Sequence, residues 1–222
     1  MQINKKNMIE SQLKPEGISC QSTLDCIEKV NREDFVPVEY KKLAYAEYDI
    51  PLKNNFNMLR PLIVAKILQL LEINSNCNIL EIGTGSGYLT CCLSMIGKTV
   101  DTVDIDKSML DAAKNIHAKY NIYNVNYLHK DVFSNWVPEK KYDIIVITGA
   151  VESRLEKLEQ ILNQKGKMFI VIGNYPVMNV NIIEKVSENK LICDQSFETV
   201  IDHLINNNKK NILNFYYNYI YD

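Results

Sequence analysis

The sequence predicts an α/β fold built around a mostly parallel sheet with helices on both faces. From residue 78 onward, short apolar β-rich segments alternate with segments of helical length, as in βαβ units with right-handed crossovers. From about Val180, two β-type segments follow each other without a helix, which indicates antiparallel final strands. Residues 1–55 are polar overall with helical periodicity, which indicates an N-terminal helical cover. Together these patterns predict a doubly wound, Rossmann-like domain.

Local signals place the individual elements. Ser22 and Thr23 precede a helical face of Leu24, Ile27 and Val30, so we expect a helix that is capped at Ser22-Thr23. The later segments are predicted in the order helix PLIVAKILQLLEI, strand NILEIG, helix SGYLTCCLSMIG, strand TVDTVDI, helix KSMLDAAKNIHAKYN, strand NVNYLHKDV, strand YDIIVITGA, helix SRLEKLEQILNQ, strand GKMFIVIG, and strands VNIIEKVSEN and LICDQSFETVI.

Length and composition bound the domain organisation. The chain has 222 residues, of which 46% are hydrophobic and 23% charged, as in a globular protein with one packed core. We predict a single domain over residues 1–207, with the helical cover over 1–55 and a ligand-binding α/β core over 56–207. Residues 208–222 form a tail rich in Asn and Tyr, for which we expect a docked strand or helix.

Charge and cysteine usage exclude several classes of function. The net charge of −2 comes from interspersed signs, so the basic stripe of a nucleic-acid-binding protein is missing. The N-terminus has no apolar signal region and no run approaches a membrane span, so we expect a cytoplasmic protein. The 6 cysteines lack a CxxC pair or a spacing with histidine that would bind metal, so we expect reduced, packed thiols and no metal.

A glycine-rich loop, LEIGTGSGY, lies where the first strand of the alternating series ends and a helix begins. Gly83, Gly85 and Gly87 allow a tight turn and let a ligand approach the backbone beside the free N–H groups of a helix N-terminus. The dinucleotide fingerprint needs a glycine where Tyr88 stands, and no lysine follows the glycines as an ATP-binding loop requires. The loop predicts a nucleotide-type ligand other than NAD or ATP.

Acidic residues at strand ends indicate which ligand this is. The E-x-G-x-G-x-G pattern from Glu81 is that of class I methyltransferases, and Glu81 can hold the cationic amino acid end of S-adenosyl-L-methionine directly or through water. Asp104 follows about twenty residues later, where an acid accepts hydrogen bonds from ribose hydroxyls, and Asp131 can accept from the adenine amino group. The predicted cofactor-binding residues are Glu81, Gly83, Thr84, Gly85, Gly87, Asp104, Ile105, Asp131 and Val132.

Several segments around the glycine loop are more specific than the loop itself. They are MIESQLKPEGI, NREDFVP with Arg32, Phe35 and Pro37, LAYAEYDIPL, LEIGTGSGYLT and YDIIVITGA. On these segments the chain resembles the protein-L-isoaspartate O-methyltransferase family over nearly all of residues 5–207. The resemblance implies methylation of a damaged, isoaspartyl protein or peptide as the first step of protein repair. It also implies an N-terminal helical cover and an unusual order of the last strands.

The substrate loop is where the chain departs from this family. The family has G-Q-T-I-S, one residue and Pro, whereas this chain has NFNMLRP ending at Pro61, so the family's catalytic serine corresponds to Leu59. No catalytic residue is therefore assigned. Arg60 is a candidate for binding the acceptor, because a guanidinium can pair with a carboxylate bidentately. Thr199, in the ETVIDHL segment that matches the strand flanking the family's substrate cleft, is the other polar candidate.

The chemistry of methyl transfer narrows the acceptor. Displacement at a sulfonium methyl group mainly requires alignment and exclusion of water. A carboxylate acceptor is ionised at neutral pH and needs no general base. This fits a sequence without an obvious catalytic base, because His117 and His129 are interpreted as structural or solvent-facing and Asp106 as a helix cap.

The end of the YDIIVI strand argues against other methyltransferase classes. Thr148-Gly149-Ala150 replaces the Asn/Asp-Pro-Pro-aromatic turn of amino-group methylation, and Glu152 is the only acid near the place where catechol-type enzymes bind metal. Two alternatives stay open. One is a small-molecule O-methyltransferase with the altered loop as a hydrophobic acceptor pocket, and the other is a catalytically silent module that binds the cofactor.

Overall fold

The computed structural model describes residues 2–53 and 56–206. Its helices are α1 (Gln2–Met8), α2 (Gln21–Lys29), α3 (Pro61–Leu70), α4 (Tyr88–Ile96), α5 (Lys107–Lys119) and α6 (Glu156–Glu159). Its strands are β1 (Ile50–Pro51), β2 (Asn57–Met58), β3 (Asn78–Ile82), β4 (Thr99–Asp104), β5 (Val125–His129), β6 (Tyr142–Ile147), β7 (Leu162–Asn174), β8 (Val177–Ser187) and β9 (Lys190–Thr199). The predicted tail over 208–222 lies outside the described residues.

The central sheet has seven strands in the order β5-β4-β3-β6-β7-β8-β9. Strands β3 to β7 pair in parallel, and β8 and β9 add an antiparallel finish in chain order. The predicted Rossmann-like fold is therefore confirmed, including the antiparallel last strands. After β3 the chain first adds β4 and β5 on one side and then returns to place β6 on the other. The carboxyl ends of β3 and β6 thus meet at a topological switch point, where ligands bind in open α/β sheets.

Both faces of the sheet are apolar, which explains the nearly continuous hydrophobic runs of its parallel strands. Ile79, Ile144 and Phe169 point to the face covered by α2, α3 and α4, whereas Leu80 and Ile145 point to the opposite face. Short α6 and the loop after β5 cover that second face through Leu158, Phe133 and Trp136. Within the described residues, no helix is long and apolar enough to cross a membrane.

The predicted helical cover is present, with one error in its capping. Leu24, Ile27 and Val30 are buried, as their spacing predicts. However, α2 begins at Gln21 with Cys20 as its N-cap, and no side-chain cap bond forms there. The prediction of a Ser22-Thr23 cap was wrong because Thr23 is buried inside the helix, where packing outweighs capping preference.

The segment SRLEKLEQILNQ also differs from its prediction. Only Glu156–Glu159 is helical, and Leu162 already pairs with Tyr142 as the first residue of β7. A register shift between Tyr142 and Ile144 accommodates the extra residues of β7. Pairing of Leu162 with β6 therefore overrides the local helical pattern at the end of this segment.

Candidate functional site

A cleft of about 1200 Å³, partly open to solvent, lies at the switch point. Its floor, as we call it, consists of residues 81–86 of the glycine loop and the residues at the ends of β4 and β5. Its roof consists of residues 56–60 and residues 200–205. A narrower recess of about 370 Å³ continues from the cleft toward Arg32, Glu81 and Tyr88.

The glycines of the loop are needed for three different reasons. A side chain at Gly83 would collide with the hydroxyl of Thr148 at the end of β6, and one at Gly87 would collide with Ala113 of α5 at 2.6 Å. Gly85 has a φ of +51°, and its nearest neighbour in the direction of a Cβ is Leu52 at 3.8 Å. A larger side chain at Gly85 would therefore project into the cleft. Gly87 does not line the cleft, so it supports the loop from behind.

Glu81 is fully buried at the end of β3. Its Oε2 accepts hydrogen bonds from the hydroxyls of Thr90 (2.5 Å) and Thr102 (2.6 Å), but its Oε1 has no partner among the described residues. Burial raises the pKa of Glu81 to about 8, against the two hydroxyls that lower it. An unpaired carboxylate oxygen in the recess fits a cationic ligand group, which is what the amino acid end of S-adenosyl-L-methionine offers.

Asp104 ties the glycine loop to the end of β4. Its Oδ2 accepts from the backbone N–H of Gly85 at 3.1 Å, and its Oδ1 accepts from that of Asp106 at 2.9 Å. Burial raises the pKa of Asp104, and these N–H donors oppose the rise. Asp104 and Ile105 line the cleft, whereas Asp106 caps α5 by accepting from Ser108 N at 2.8 Å, as its position predicts.

The last part of the floor follows β5. Asp131 and Val132 both line the cleft, and Val132 is buried. Asp131 Oδ1 accepts from Phe133 N at 2.7 Å, which fixes the turn that presents the carboxylate. The structure thus brings together around the cleft and its recess all predicted cofactor residues except Gly87.

Two histidines support the floor from outside, in agreement with their structural interpretation. His117 is fully buried and lies 2.8 Å from the carbonyl oxygen of Gly87 and 2.6 Å from the hydroxyl of Tyr127. Because a carbonyl only accepts, His117 Nε2 carries the proton and Nδ1 accepts from Tyr127. His129 Nε2 lies 3.0 Å from the carbonyl oxygen of Ile105.

The roof holds the candidate acceptor residues. The hairpin of β1 and β2 carries the loop to Leu59, which is half-buried against the core, and to Arg60. Arg60 forms an ion pair with Asp49 at 3.1 Å and donates to the carbonyl oxygen of Val200 at 3.1 Å. Arg60 lines the cleft while it braces the two parts of the roof.

The second part of the roof begins just after Thr199. Thr199 pairs with Met178 at the end of β9 and does not line the cleft, whereas the next residues do. Asp202 Oδ2 accepts from the backbone N–H of Asn57 at 2.6 Å, which joins this segment to the loop before Leu59. His203 also lines the cleft.

Two residues at the cleft and its recess were not among the predicted site residues. Thr148 at the end of β6 lies next to Gly83, and its hydroxyl is within 2.7 Å of the Gly83 carbonyl oxygen. Arg32 of the NREDFVP segment is fully buried and lines the recess. Thr148 directly follows the YDIIVI strand, which pairs with β3 in the structure. No local sequence pattern predicts that the side chain of Arg32 reaches the recess.

The fold and the cleft define a methyltransferase of the Rossmann-like class. A model of the protein-L-isoaspartate(D-aspartate) O-methyltransferase family matches residues 3–208, so the chain belongs to that family, as its motifs predict. The protein-L-isoaspartate O-methyltransferase of Vibrio campbellii is 39% identical over 157 residues, which cover 71% of this chain and 76% of that one. That of Aliivibrio fischeri is 31% identical over 185 residues, 83% of this chain and 89% of the relative. The chain is thus an S-adenosyl-L-methionine-dependent O-methyltransferase.

A solved structure supports the fold. A Plasmodium falciparum protein assigned as a protein-L-isoaspartate O-methyltransferase, crystallised with S-adenosyl-L-homocysteine, superposes with a TM-score of 0.79. The alignment covers 92% of this chain and 99% of that one at 20% sequence identity. At this identity the likeness establishes a common architecture and leaves the roles of single residues to the geometry described above.

Proposed function

We propose that this chain methylates the free carboxylate of an isoaspartyl residue in a protein or peptide, which it binds between the floor and the roof of the cleft. The observation that carries the proposal is that the two parts of the roof meet. Asn57 donates to Asp202 at 2.6 Å and Arg60 donates to Val200 at 3.1 Å, although they lie 145 and 140 residues apart in the chain. These are the two segments that the family resemblance implies for the substrate.

We assign the floor to the cofactor. When bound, S-adenosyl-L-methionine supplies an electrophilic methyl group on its sulfonium. Glu81 Oε1 pairs with the cationic amino acid end, Asp104 accepts from ribose hydroxyls and Asp131 accepts from the adenine amino group. Val132 and Ile105 give the adenine an apolar contact. The support for these roles is the unpaired, buried oxygen of Glu81 and the position of both aspartates on the cleft.

We assign the roof to the acceptor. Its apolar side chains exclude water from the cleft, and Arg60 offers a guanidinium to an incoming carboxylate. Leu59 supplies no hydroxyl at the position of the family's catalytic serine. We therefore propose that isoaspartyl turnover is slow, because one hydrogen-bond donor at developing charge contributes on the order of 10²–10³ in rate.

A second candidate function, methylation of a small phenol-like hydroxyl, is favoured by one observation. His203 lines the cleft, and a neutral imidazole can accept the proton that a hydroxyl acceptor has to lose. A carboxylate acceptor leaves His203 without this role. The two functions therefore differ in their need for a base at the cleft.

Transfer of labelled methyl from S-adenosyl-L-methionine separates these functions. The acceptors are an isoaspartyl peptide, the same peptide with ordinary aspartate, and a panel of phenols and quinols. We expect label only in the isoaspartyl peptide, in a form released by mild base as an ester is. Label in phenols alone would assign the second function. Binding of S-adenosyl-L-homocysteine without any transfer would identify a silent cofactor-binding module.

We also propose a cytoplasmic location. The 6 cysteines are unpaired, and Cys26, Cys77, Cys91 and Cys92 are buried. Burial raises the pKa of Cys92, which keeps its thiol protonated and unreactive. Thiols packed in this way suit a reducing compartment. Measurement of the free thiol content of the protein purified from its cells tests this point.

A further inference from the structure

Arg32 is a buried cation that the functions assigned so far do not use. It is 0% exposed, in the turn Arg32–Asp34 after α2. Its Nη2 donates to the carbonyl oxygen of Leu59 at 2.6 Å, and its Cζ lies 5.0 Å from the centre of the Tyr88 ring. Its Nε and Nη1 are buried without a hydrogen-bond partner in the described part of the chain.

The charge of Arg32 is offset in part by Glu47, which acts on it electrostatically without forming an ion pair. No carboxylate in residues 2–53 and 56–206 forms an ion pair with its guanidinium. Arginine keeps its proton in proteins, and a buried charge without a partner is strongly unfavourable. A cation retained at this cost on the wall of a ligand cleft is complementary to an anion. The donors left over form part of the planar fork that binds carboxylates.

Glu81 makes the recess complementary to more than a single charge. Glu81 and Arg32 both line the recess, and each has buried polar atoms without a partner. Unpaired donors and an unpaired acid oxygen in one cavity match a ligand that carries both a carboxylate and an ammonium group. The amino acid end of S-adenosyl-L-methionine is such a group.

We propose that Arg32 is the carboxylate-binding residue of the recess. This inference rests on the proposed function, because the cofactor and the acceptor are the two sources of a carboxylate at this place. Complementarity with Glu81 points to the α-carboxylate of the cofactor. The bond from Arg32 to the Leu59 carbonyl connects the same guanidinium to the roof and hence to the acceptor carboxylate. One set of measurements distinguishes the two sources.

The experiment compares ligands with and without the amino acid end. Calorimetry measures the affinity of wild type and Arg32→Met for S-adenosyl-L-homocysteine and for methylthioadenosine, which lacks the carboxylate and the ammonium. Steady-state kinetics measures the KM for an isoaspartyl peptide. Arg154→Met is the matched control, since Arg154 pairs with Glu159 away from the cleft. We expect this control to change thermal stability only.

A loss of at least tenfold in affinity for S-adenosyl-L-homocysteine, with methylthioadenosine unchanged, supports Arg32 as the ligand of the cofactor carboxylate. An unchanged affinity with a KM raised at least tenfold supports the acceptor carboxylate instead. If neither changes, the proposal is wrong and Arg32 only holds the loop at Leu59. If Arg32→Met fails to fold, the same changes in affinity and KM are measured for Arg32→Lys. A lysine ammonium keeps the charge but does not reproduce the guanidinium fork.

The same measurements distinguish a wrong role for Arg32 from a wrong cofactor assignment. Wild type that binds neither adenosine ligand contradicts the cofactor assignment itself. If wild type binds both adenosine ligands, and neither the affinities nor KM change in the two Arg32 variants, only the role of Arg32 is wrong.

Discussion

The floor and the roof of the cleft are held together by different kinds of interaction. Glu81 and Asp104 of the floor are fixed by short hydrogen bonds from Thr90, Thr102 and Gly85, and Glu81 is completely buried. The roof is joined by bonds at the surface, such as the ion pair of Arg60 with a half-exposed Asp49. If the proposed assignments hold, we expect substitutions in the floor to disturb cofactor binding and substitutions in the roof to change acceptor chemistry without affecting the floor.

The largest effect is expected from Gly85→Val in the floor. A β-branched side chain is strained at a φ of +51° and would project into the cleft, so cofactor binding should be lost. Calorimetry with S-adenosyl-L-homocysteine measures this. Gly17→Val is the matched control, because Gly17 has a φ of +86° and no atom within 4 Å of a Cβ. If both variants bind equally well, the loop is not the cofactor site.

Leu59→Ser tests the roof. We expect kcat for an isoaspartyl peptide to rise by up to about 10², because a hydroxyl returns where charge develops. Leu59→Ala loses the same packing without gaining a hydroxyl, so it should show no gain. Cofactor affinity should stay the same in both variants. Equal rates for serine and alanine would mean that this position does not set the acceptor chemistry.

Asp104→Ala tests a second residue of the floor. Loss of charge-assisted hydrogen bonds should weaken cofactor binding by about 1.5–3 kcal/mol, roughly 10- to 150-fold. Asp104→Asn keeps the size and one acceptor oxygen, and should fall in between. Calorimetry at constant pH gives both values. Wild-type affinity in the alanine variant would exclude Asp104 from the cofactor site.

The pH dependence of cofactor binding tests Glu81. Its pKa of about 8 means that the ligand-free carboxyl is protonated at pH 7, so an ammonium ligand that pairs with the carboxylate must release this proton. Affinity should rise about tenfold per pH unit below 8 and level off above it. The ligand-free protein should lose stability as pH rises from 4.5 to 8, since the folded state binds the extra proton. Proton release measured in two buffers should disappear in Glu81→Gln.

The smallest effect is expected from Arg60→Ala. Its side chain is 31% exposed and its bonds lie at the edge of the cleft, so we expect KM for the peptide to rise about three- to tenfold. Cofactor affinity should not change. Arg60→Lys keeps the charge and should recover part of the loss. A change in cofactor affinity would show that the floor and the roof are coupled.

Local sequence signals were sufficient for the floor and insufficient for the roof. Glu81 and Asp104 lie at the ends of β3 and β4, and Asp131 follows β5, so alternation along the chain predicts that they share one edge of the sheet. The roof depends on contacts such as that between Asn57 and Asp202, which no local pattern encodes.

The same difference between local pattern and tertiary contact explains the wrong helix prediction before β7. Leu162 joins β7 because Tyr142 of β6 is available for pairing, which is a tertiary effect. Gly87 lies behind the loop next to Ala113 of α5, and its role in cofactor binding stays a prediction. A glycine in a loop is easy to recognise in a sequence, but the reason why glycine is required there depends on which residues pack against it.

The bond between Asn57 and Asp202 has a consequence for synthesis on the ribosome. Chains fold from the N-terminus as they emerge. The strand ends that form the floor are available once β6 has been made, whereas Asn57 has to wait for Asp202 at the other end of the described chain. We therefore expect the acceptor side of the cleft to be the last part of the site to form during synthesis.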